Sequence, residues 1–186
     1  TLWPVELVGA KLAGRPFAAP ATPFSPQAAA VLHLQFQCLS KDLPFSALSL
    51  DRLRFFLKGQ AQHVYALYEL VFNSVLGIAL AASPQDRQPR LLGRECIEPV
   101  GFEREQGLLP FSARSFLGYR LPTEYFAFPQ KFLFFDLAGL GSPARAGAGR
   151  TLDVFLYLNR TIQELEQNVT ADSLQMGCTP IVNLYP

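Results

Sequence analysis

Two stretches in which apolar and polar residues alternate constrain the fold more than any other feature. Within 31–39, leucine, phenylalanine or cysteine fills every second position, and His33, Gln35 and Gln37 fill the places between them. Leu53–Lys58 alternates in the same way. Successive side chains of a strand point to opposite faces of its sheet, so both stretches predict half-buried strands. His33 falls on the polar face, where a solvated or partner-facing histidine is expected.

Three further stretches predict strands. Leu152–Leu158 alternates again, and Leu91–Glu98 has the length of a short strand. Lys131–Leu137 is apolar at nearly every position, which indicates a central strand covered on both sides. An extended tail is expected over 174–185, and a glycine- and alanine-rich loop over 139–150.

Helical periodicity is clearest between Val64 and Ala79. One apolar stripe at i, i+3, i+4 and i+7 spacing predicts a long amphipathic helix lying across a sheet. The stripe consists of Val64, Leu67, Tyr68, Val71, Phe72, Val75, Leu76 and Ala79. Short helices are expected at Pro122–Ala127, closed by Pro129, and from Thr161 onward. The sequence therefore predicts an α+β fold in one domain, 1–186: a mostly antiparallel β-sheet or β-sandwich with one long amphipathic helix and two short helices.

Charge is scarce in this chain. Only 17% of its 186 residues are charged, compared with about 25% in a typical soluble domain. It also carries 16 phenylalanines and 6 tyrosines. This composition has two interpretations: either another protein covers part of the surface, or the core is unusually large.

Several classes of site are disfavoured by composition. The net charge is +1 and basic residues are scattered, which argues against nucleic-acid binding. The most apolar stretch, 67–82, contains a glutamate and is too short to cross a bilayer. The cysteines, Cys38, Cys96 and Cys178, lie too far apart for a metal site with only two histidines, so reduced and mostly buried thiols are expected.

No motif predicts catalysis. Gly139–Ala144 matches the G-x-G-x-x-[GA] dinucleotide pattern, but a strand follows it where the pattern requires a helix N-terminus. The chain has no G-x-S-x-G, H-E-x-x-H or G-K-[ST] motif. We therefore expect a non-enzymatic protein without a cofactor or metal.

Arginine and acidic residues are interspersed with the densest aromatic run of the chain. Arginine and aromatic residues together are enriched at protein interfaces, so this run is the candidate partner interface. The candidate residues are Arg114, Phe116, Tyr119, Arg120, Glu124 and Tyr125. The alternative is structural: an Arg120–Glu124 ion pair one helical turn apart, with Arg114 bracing a loop.

The same run resembles the signature of a known family. Residues 114–121 (RSFLGYRL), 124–129 (EYFAFP) and 131–137 (KFLFFDL) are similar to a conserved block of TssF, a baseplate wedge family of bacterial type VI secretion. Agreement continues in 1–6 (TLWPVE), 53–57 (LRFFL) with 67–72 (LYELVF), and 177–184 (GCTPIVNL). Pro122, in place of an expected leucine, and the 139–150 loop depart from the family pattern.

The resemblance implies a structural role in a large machine. TssF proteins are several times longer than this chain, which is then expected to be one internal segment. With TssG they form wedges, joined by TssE and TssK, in a cytoplasmic baseplate that docks at the inner-membrane complex and primes Hcp tube and sheath assembly. TssG is the expected partner, with TssE, TssK, neighbouring wedges or the sheath as others. Two competing functions remain: an enzyme of unknown type, and a ligand-binding β-sandwich without catalytic activity, which an open aromatic-lined groove would favour.

Overall fold

The fold combines two antiparallel sheets with three helices in the part of the chain that the structure describes. The computed structural model describes residues 2–110, 112, 114, 116–141 and 148–182. The strands are β1 (Val5–Gly14), β2 (Ala30–Cys38), β3 (Leu53–Leu57), β4 (Val75–Ala81), β5 (Arg90–Leu92), β6 (Ile97–Val100), β7 (Phe134–Leu137), β8 (Thr151–Leu158) and β9 (Leu174–Met176). The helices are α1 (Ala61–Asn73), α2 (Arg120–Ala127) and α3 (Gln163–Asn168). The predicted α+β class is confirmed.

The sheets share one core. The first sheet has the order β1-β2-β8-β4-β5 and the second has the order β6-β7-β3-β9, with antiparallel pairing throughout. Buried apolar side chains from both sheets and from α1 form a single cluster. Phe55 on β3 stacks on Phe135 of β7 with ring centroids 5.1 Å apart, and it also contacts Phe36 of β2 across the core at 5.9 Å.

β7 is the predicted central strand, with both neighbours paired and all four residues buried. It begins at Phe134, three residues later than expected, because Pro129–Phe132 form a 3-10 helix. Proline has no amide hydrogen to contribute to a strand ladder, but it suits the first turn of a helix. Lys131, expected within the strand, is turned away into a buried contact described below.

The outer face of the first sheet is also covered, by the connection between β1 and β2. We call residues 15–29 the strap. Phe17 and Phe24 of the strap pack against Phe155 and Tyr157 of β8, and the Tyr157 hydroxyl donates a hydrogen bond of 2.6 Å to the Pro20 carbonyl. This cover explains why β8, predicted from alternation to be half-buried, is buried at every position after Thr151.

The predicted long helix is wrong in its second half. α1 ends at Asn73, and the chain turns at Ser74 directly into β4, so Val75, Leu76 and Ala79 lie in a strand. β4 is an interior strand whose two faces are both buried, and such a strand has a continuous apolar run rather than an alternating one. This run extends the helical stripe by coincidence, and periodicity alone cannot separate the two.

Two smaller expectations also need correction. The predicted strand Leu91–Glu98 is two strands, β5 and β6, because the 3-10 turn Arg94–Cys96 carries the chain from the first sheet to the second. His33 is only partly solvated: its ring stacks on Phe155 of the neighbouring strand β8 at 4.2 Å, with Nε2 3.4 Å from Asp153 Oδ2. Phe155 shields the ring, whereas Gln35 on the same face of β2 is exposed.

Helix starts and loops complete the comparison. α2 begins two residues before Pro122, which is tolerated because amide groups in the first helical turn have no intrahelical partner. α3 begins at Gln163, two residues after the expected start. Residues 142–147 of the predicted loop, which include part of the Gly139–Ala144 motif, and 183–185 of the predicted tail lie outside the described residues.

Candidate partner interface

The six candidate residues divide into an exposed set and a buried set. Phe116, Tyr119 and Tyr125 expose 72%, 69% and 47% of their surface, and Arg114 is exposed in the turn before α2. Arg120 and Glu124 are 7% and 1% exposed. Only the first set can contact a partner directly in this conformation.

Arg120 fastens α2 to the irregular segment that precedes it. Its Nη1 donates a hydrogen bond of 2.6 Å to the carbonyl of Arg104, and Nη2 donates to the carbonyls of Phe102 and Glu103 at 3.1 and 2.9 Å. Charge-assisted hydrogen bonds of this kind are stronger than neutral ones. Arg120 therefore fixes the position of Phe102 relative to α2.

Glu124 fastens the next part of the same segment. Its Oε1 accepts hydrogen bonds from the amides of Leu108 and Leu109 at 2.7 and 3.0 Å, and its Oε2 pairs with the Lys131 ammonium, which is 1% exposed. Burial alone would raise the pKa of the Glu124 carboxyl, but Lys131 and the two amides outweigh it, so that the pKa lies below its ordinary value. The carboxylate is therefore ionised at neutral pH.

The structural alternative predicted a buried role for Arg120 and Glu124, which is correct, and an ion pair between them, which is not. Arg120 and Glu124 do have structural contacts, but among the ion pairs of the described residues they do not pair with each other. From successive turns of α2, each binds a different part of the 102–109 segment. Together they hold this segment against α2.

A groove opens beside α2, and we call it the aromatic groove. Its volume is about 500 Å³, within the range of typical ligand or partner pockets. It is lined by Tyr65, Tyr68, Phe102, Leu121, Pro122, Tyr125, Phe126, Pro129, Phe132 and Leu133. None of these ten side chains is charged, so the groove offers an apolar surface with tyrosine hydroxyls as its polar side-chain groups.

Several aromatic rings of the groove and of the chain before α2 are exposed. In the groove, Phe126 is 84% exposed, Tyr65 45% and Phe102 41%; before α2, Phe116 and Tyr119 pack edge to face at 5.6 Å. Exposed apolar patches mark protein interaction sites. Together with Tyr125, these rings supply half of the large exposed apolar side chains in the described residues.

Three exposed rings of this surface are not among the six candidate residues. Phe126 lies within the aromatic run, but nothing in the pattern singled it out. Tyr65 lies off the apolar stripe of α1, a position that a helix ordinarily fills with a polar residue. An aromatic residue on the polar face was a usable signal. Phe102 lies in the irregular segment after β6, where no pattern could indicate that Arg120 and Glu124 would draw it to α2.

A second cleft, of about 820 Å³, lies between the start of β1, β3 and the chain after β9. Most of its charged groups pair: Arg54 binds the buried Asp136 carboxylate through two hydrogen bonds of 2.7 and 2.8 Å, and Arg52 bridges Asp136 and Glu98. Asp51 also lines the cleft. This cluster joins β3, β6 and β7, and its ion pairs give it a structural role.

The described residues contain neither a metal-binding cluster nor a membrane-spanning helix. Within the described ranges, no group of three or more His, Cys, Asp or Glu side chains is placed to hold a metal ion. Over the same ranges, no helix has the length and apolarity needed to cross a membrane. Cys38, Cys96 and Cys178 are free thiols; Cys38 is buried, which raises its pKa, and the other two are half-buried.

Comparison with known proteins gives a consistent result. A family model described as "Type VI secretion system, TssF" matches residues 1–186. The chain is 35% identical over 188 residues to the type VI secretion system component TssF1 of Pseudomonas aeruginosa strain PAO1. That alignment covers 100% of this chain and 30% of TssF1, so the chain spans less than a third of this curated relative.

A solved structure shares the fold. A chain in the cryo-electron microscopy structure of the type VI secretion system TssK-TssF-TssG baseplate subcomplex superposes with a TM-score of 0.75 at 25% sequence identity. The superposition covers 99% of this chain and 32% of the other. The two-sheet arrangement therefore occurs within a protein that is part of a larger assembly.

Proposed function

Because the chain belongs to the TssF family of the type VI secretion system, we propose that it is a structural segment of the baseplate wedge. The observation that carries this proposal is the family match over all 186 residues. A relative with the same fold is part of a TssK-TssF-TssG subcomplex, which supports TssG and TssK as partners. Residues 1–186 would be one internal domain of a longer TssF protein.

The proposal extends to the rest of the machine. TssE and neighbouring wedges would complete the baseplate, and the platform would support assembly of the Hcp tube and the contractile sheath. The location would be the cytoplasm, against the inner-membrane complex. The mechanism would be mechanical, since rigid contacts between wedges must hold before contraction and rearrange when the sheath contracts.

A partner-facing role for the exposed rings fits this function. The exposed candidates are three large aromatic side chains, Phe116, Tyr119 and Tyr125, and the nearby Arg114. Aromatic and arginine residues commonly anchor protein interfaces. Arg120 and Glu124 would contribute indirectly, by holding the surface in shape.

A ligand-binding module is the second candidate, because an open aromatic groove is present. The lining argues against it. Sites for sugars and other polar ligands combine apolar walls with a few placed polar groups, whereas this groove has only tyrosine hydroxyls. Catalysis has still less support, since tyrosine is the only titratable side chain in the groove, and Arg52, Arg54 and Asp136 of the second cleft are already engaged in ion pairs.

The test is co-expression of TssG with the full-length protein, and with a variant lacking residues 1–186. We expect the full-length protein to co-purify with TssG. If a folded deletion variant no longer binds TssG, this segment contains the TssG-binding site or supports it. If the deletion variant still binds TssG, the partner of this segment is TssK, the sheath or another wedge. Failure of the full-length protein to bind TssG would contradict the baseplate proposal itself.

A further inference from the structure

We propose that the second cleft binds another segment of the same polypeptide, from the part of a longer TssF protein that lies outside residues 1–186. The inference rests on one element of the proposed function, namely that these residues form one domain of such a protein. It adds the place where this domain packs against the rest of its own chain.

The cleft lies where the first and last described stretches of the chain meet. Leu2 and Trp3 contribute to its lining, and so do residues 176–179. The two stretches lie side by side, since a Cβ atom added at Gly177 would be 3.3 Å from Cδ2 of Leu2. Polypeptide joined to this domain before Leu2 or after residue 179 is therefore tethered beside the cleft, whichever end carries it.

The tether favours the same chain over a separate subunit. The alignment with TssF1 covers 30% of that relative, so most of the relative's chain lies outside the matching domain. A tethered segment has an effective concentration on the order of a millimolar, whereas a separate subunit binds from its own, lower concentration. At equal complementarity, the tethered segment therefore fills the cleft first.

The lining combines apolar surface with hydrogen-bond donors. Trp3 and Met176 supply half-buried apolar side chains, and the side chains of Arg52 and Arg54 are 52% and 45% exposed. Among the described residues, Arg54 uses Nε and Nη2 to bind Asp136, and Arg52 uses Nη1 in its ion pairs. A guanidinium group has five N–H groups, so both arginines retain donors for backbone carbonyls. The cleft can thus hold an irregular segment that inserts an apolar side chain and offers its carbonyl groups to the arginines.

Apolar side chains in the two stretches that meet at the cleft are exposed in this domain. Leu2 and Ile181 are each 80% exposed, and Val182 is 36% exposed. Exposed apolar patches mark surfaces that pack against other protein. A segment of the same chain that enters the cleft would remove this apolar surface from water in the full-length protein.

The first test is photocrosslinking in full-length TssF purified without TssG or TssK. A benzoylphenylalanine is placed at Ser49, an exposed residue of the cleft lining, and at Thr161, an exposed residue outside it. Mass spectrometry identifies the crosslinked residues, and a mixture of isotope-labelled and unlabelled protein separates crosslinks within one chain from those between chains. We expect the Ser49 position to crosslink, within one chain, to a segment outside residues 1–186 that the Thr161 position does not reach.

Three results of this test would overturn the proposal. The first is crosslinking from Ser49 only to residues within 1–186. The second is crosslinking between two copies of TssF. The third is crosslinking beyond the domain that appears only after TssG or TssK is added, because the cleft would then belong to a partner.

The second test fills the cleft. Thr179→Trp adds a large ring at an exposed residue of the lining, and Thr161→Trp adds the same ring outside it. We expect Thr179→Trp to reduce the intrachain crosslink from Ser49 severalfold, because the ring and the segment compete for the same space, and Thr161→Trp to leave it unchanged. An undiminished crosslink in a Thr179→Trp variant that melts at the wild-type temperature would place the segment outside the cleft and contradict the proposal.

These outcomes are distinguishable from failure of the baseplate role. If full-length TssF co-purifies with TssG and the Ser49 crosslinks stay within residues 1–186, the intrachain contact is wrong and the baseplate role stands. If the crosslinks reach the rest of the chain but TssG does not co-purify, the baseplate role is wrong and the intrachain contact stands.

Discussion

Three buried charged residues lie on α2 and on the 3-10 helix that follows it. Arg120 and Glu124 each face a different part of the 102–109 segment, and Lys131 neutralises the glutamate. Removing one partner of such a buried set leaves the others without compensation. We therefore regard these residues as determinants of the stability and shape of the surface, and the rings as the groups that meet a partner.

Arg120→Met should destabilise the domain, because three carbonyl groups lose their charged donor. We expect the free energy of unfolding to fall by about 2–4 kcal/mol, measured by urea denaturation of the 186-residue chain. Arg114→Met, in an exposed side chain of the same type, should change it by less than about 0.5 kcal/mol. Equal effects of the two substitutions would contradict the role assigned to Arg120.

Acid should weaken the fold partly through Glu124. The pKa of this carboxyl is lowered in the folded state, so its contribution is present above the unfolded value of about 4.3 and is lost as the pH falls below it. Urea denaturation at pH 6.5 and 3.5 should show a larger loss of stability in the wild type than in Glu124→Gln, which has no such group. The pKa of Asp86 is also lowered, by hydrogen bonds from the amides of Ala82 and Gln88. Because Asp86 is present in both proteins, its contribution cancels when the two losses of stability are compared. Equal losses in both proteins would exclude a titrating contribution from Glu124.

At the scale of elements, the strap is the least expected part of the structure. It covers part of the outer face of the first sheet, and hydrogen bonds from Arg15 and Tyr157 hold it in place. The Arg15 guanidinium donates to the carbonyls of Ala28, Ser25 and Pro26, and the Tyr157 hydroxyl donates to that of Pro20. The strap therefore gives the first sheet a second buried face, which accounts for part of the low charge content.

Gly77 leaves room for the strap to lie this close to the sheet. A Cβ atom at this position of β4 would overlap the ring of Phe24, which packs near Tyr157. Gly77→Ala should therefore lower the free energy of unfolding by about 1–3 kcal/mol, as overpacking does elsewhere. Gly149→Ala, where a Cβ would meet no atom within 4 Å, is the matched control and should have little effect.

The pairing of Gly77 with Phe24 can be tested further. In the double variant Gly77→Ala, Phe24→Ala the overlap is removed, so its loss of stability should be smaller than the sum of the two single losses. Additive losses would indicate that the strap tolerates a methyl group at this position and that Phe24 does not depend on the glycine.

Alternation located the strands with a clearly polar face, whereas strands buried on both faces were predicted unevenly: β7 was recognised from its continuous apolar run, but β4 was assigned to the helix. β2 and β3 were located to within one residue at their ends by alternation. β4 and the second half of the predicted helix were confused, because a strand buried on both faces loses its period of two. The strap was missed for a related reason: its contacts depend on the sheet beneath it, and no local pattern records them.

At the scale of the whole molecule, the sequence indicated the aromatic surface around α2 as a candidate site, but not which of its residues face inward. The aromatic run around α2 indicated the surface, and the exposed Phe116, Tyr119 and Tyr125 lie on it. Composition could not reveal that Arg120 and Glu124 face inward, because their partners are backbone groups of a segment without regular structure. Tyr65 joins the groove only through the packing of α1 beside α2, a tertiary contact.

We propose that the aromatic groove and its surrounding rings face a baseplate partner. Hydroxyl-radical footprinting tests this directly, by comparing oxidation of Tyr65, Tyr125 and Phe126 in free full-length TssF and in the assembled complex with TssG and TssK. Leu91 and Leu39, exposed apolar residues outside the groove, serve as internal references. We expect the three groove residues to be protected severalfold on assembly while the references keep their oxidation rates. Unchanged oxidation of all three groove residues in a complex that has formed would contradict the claim.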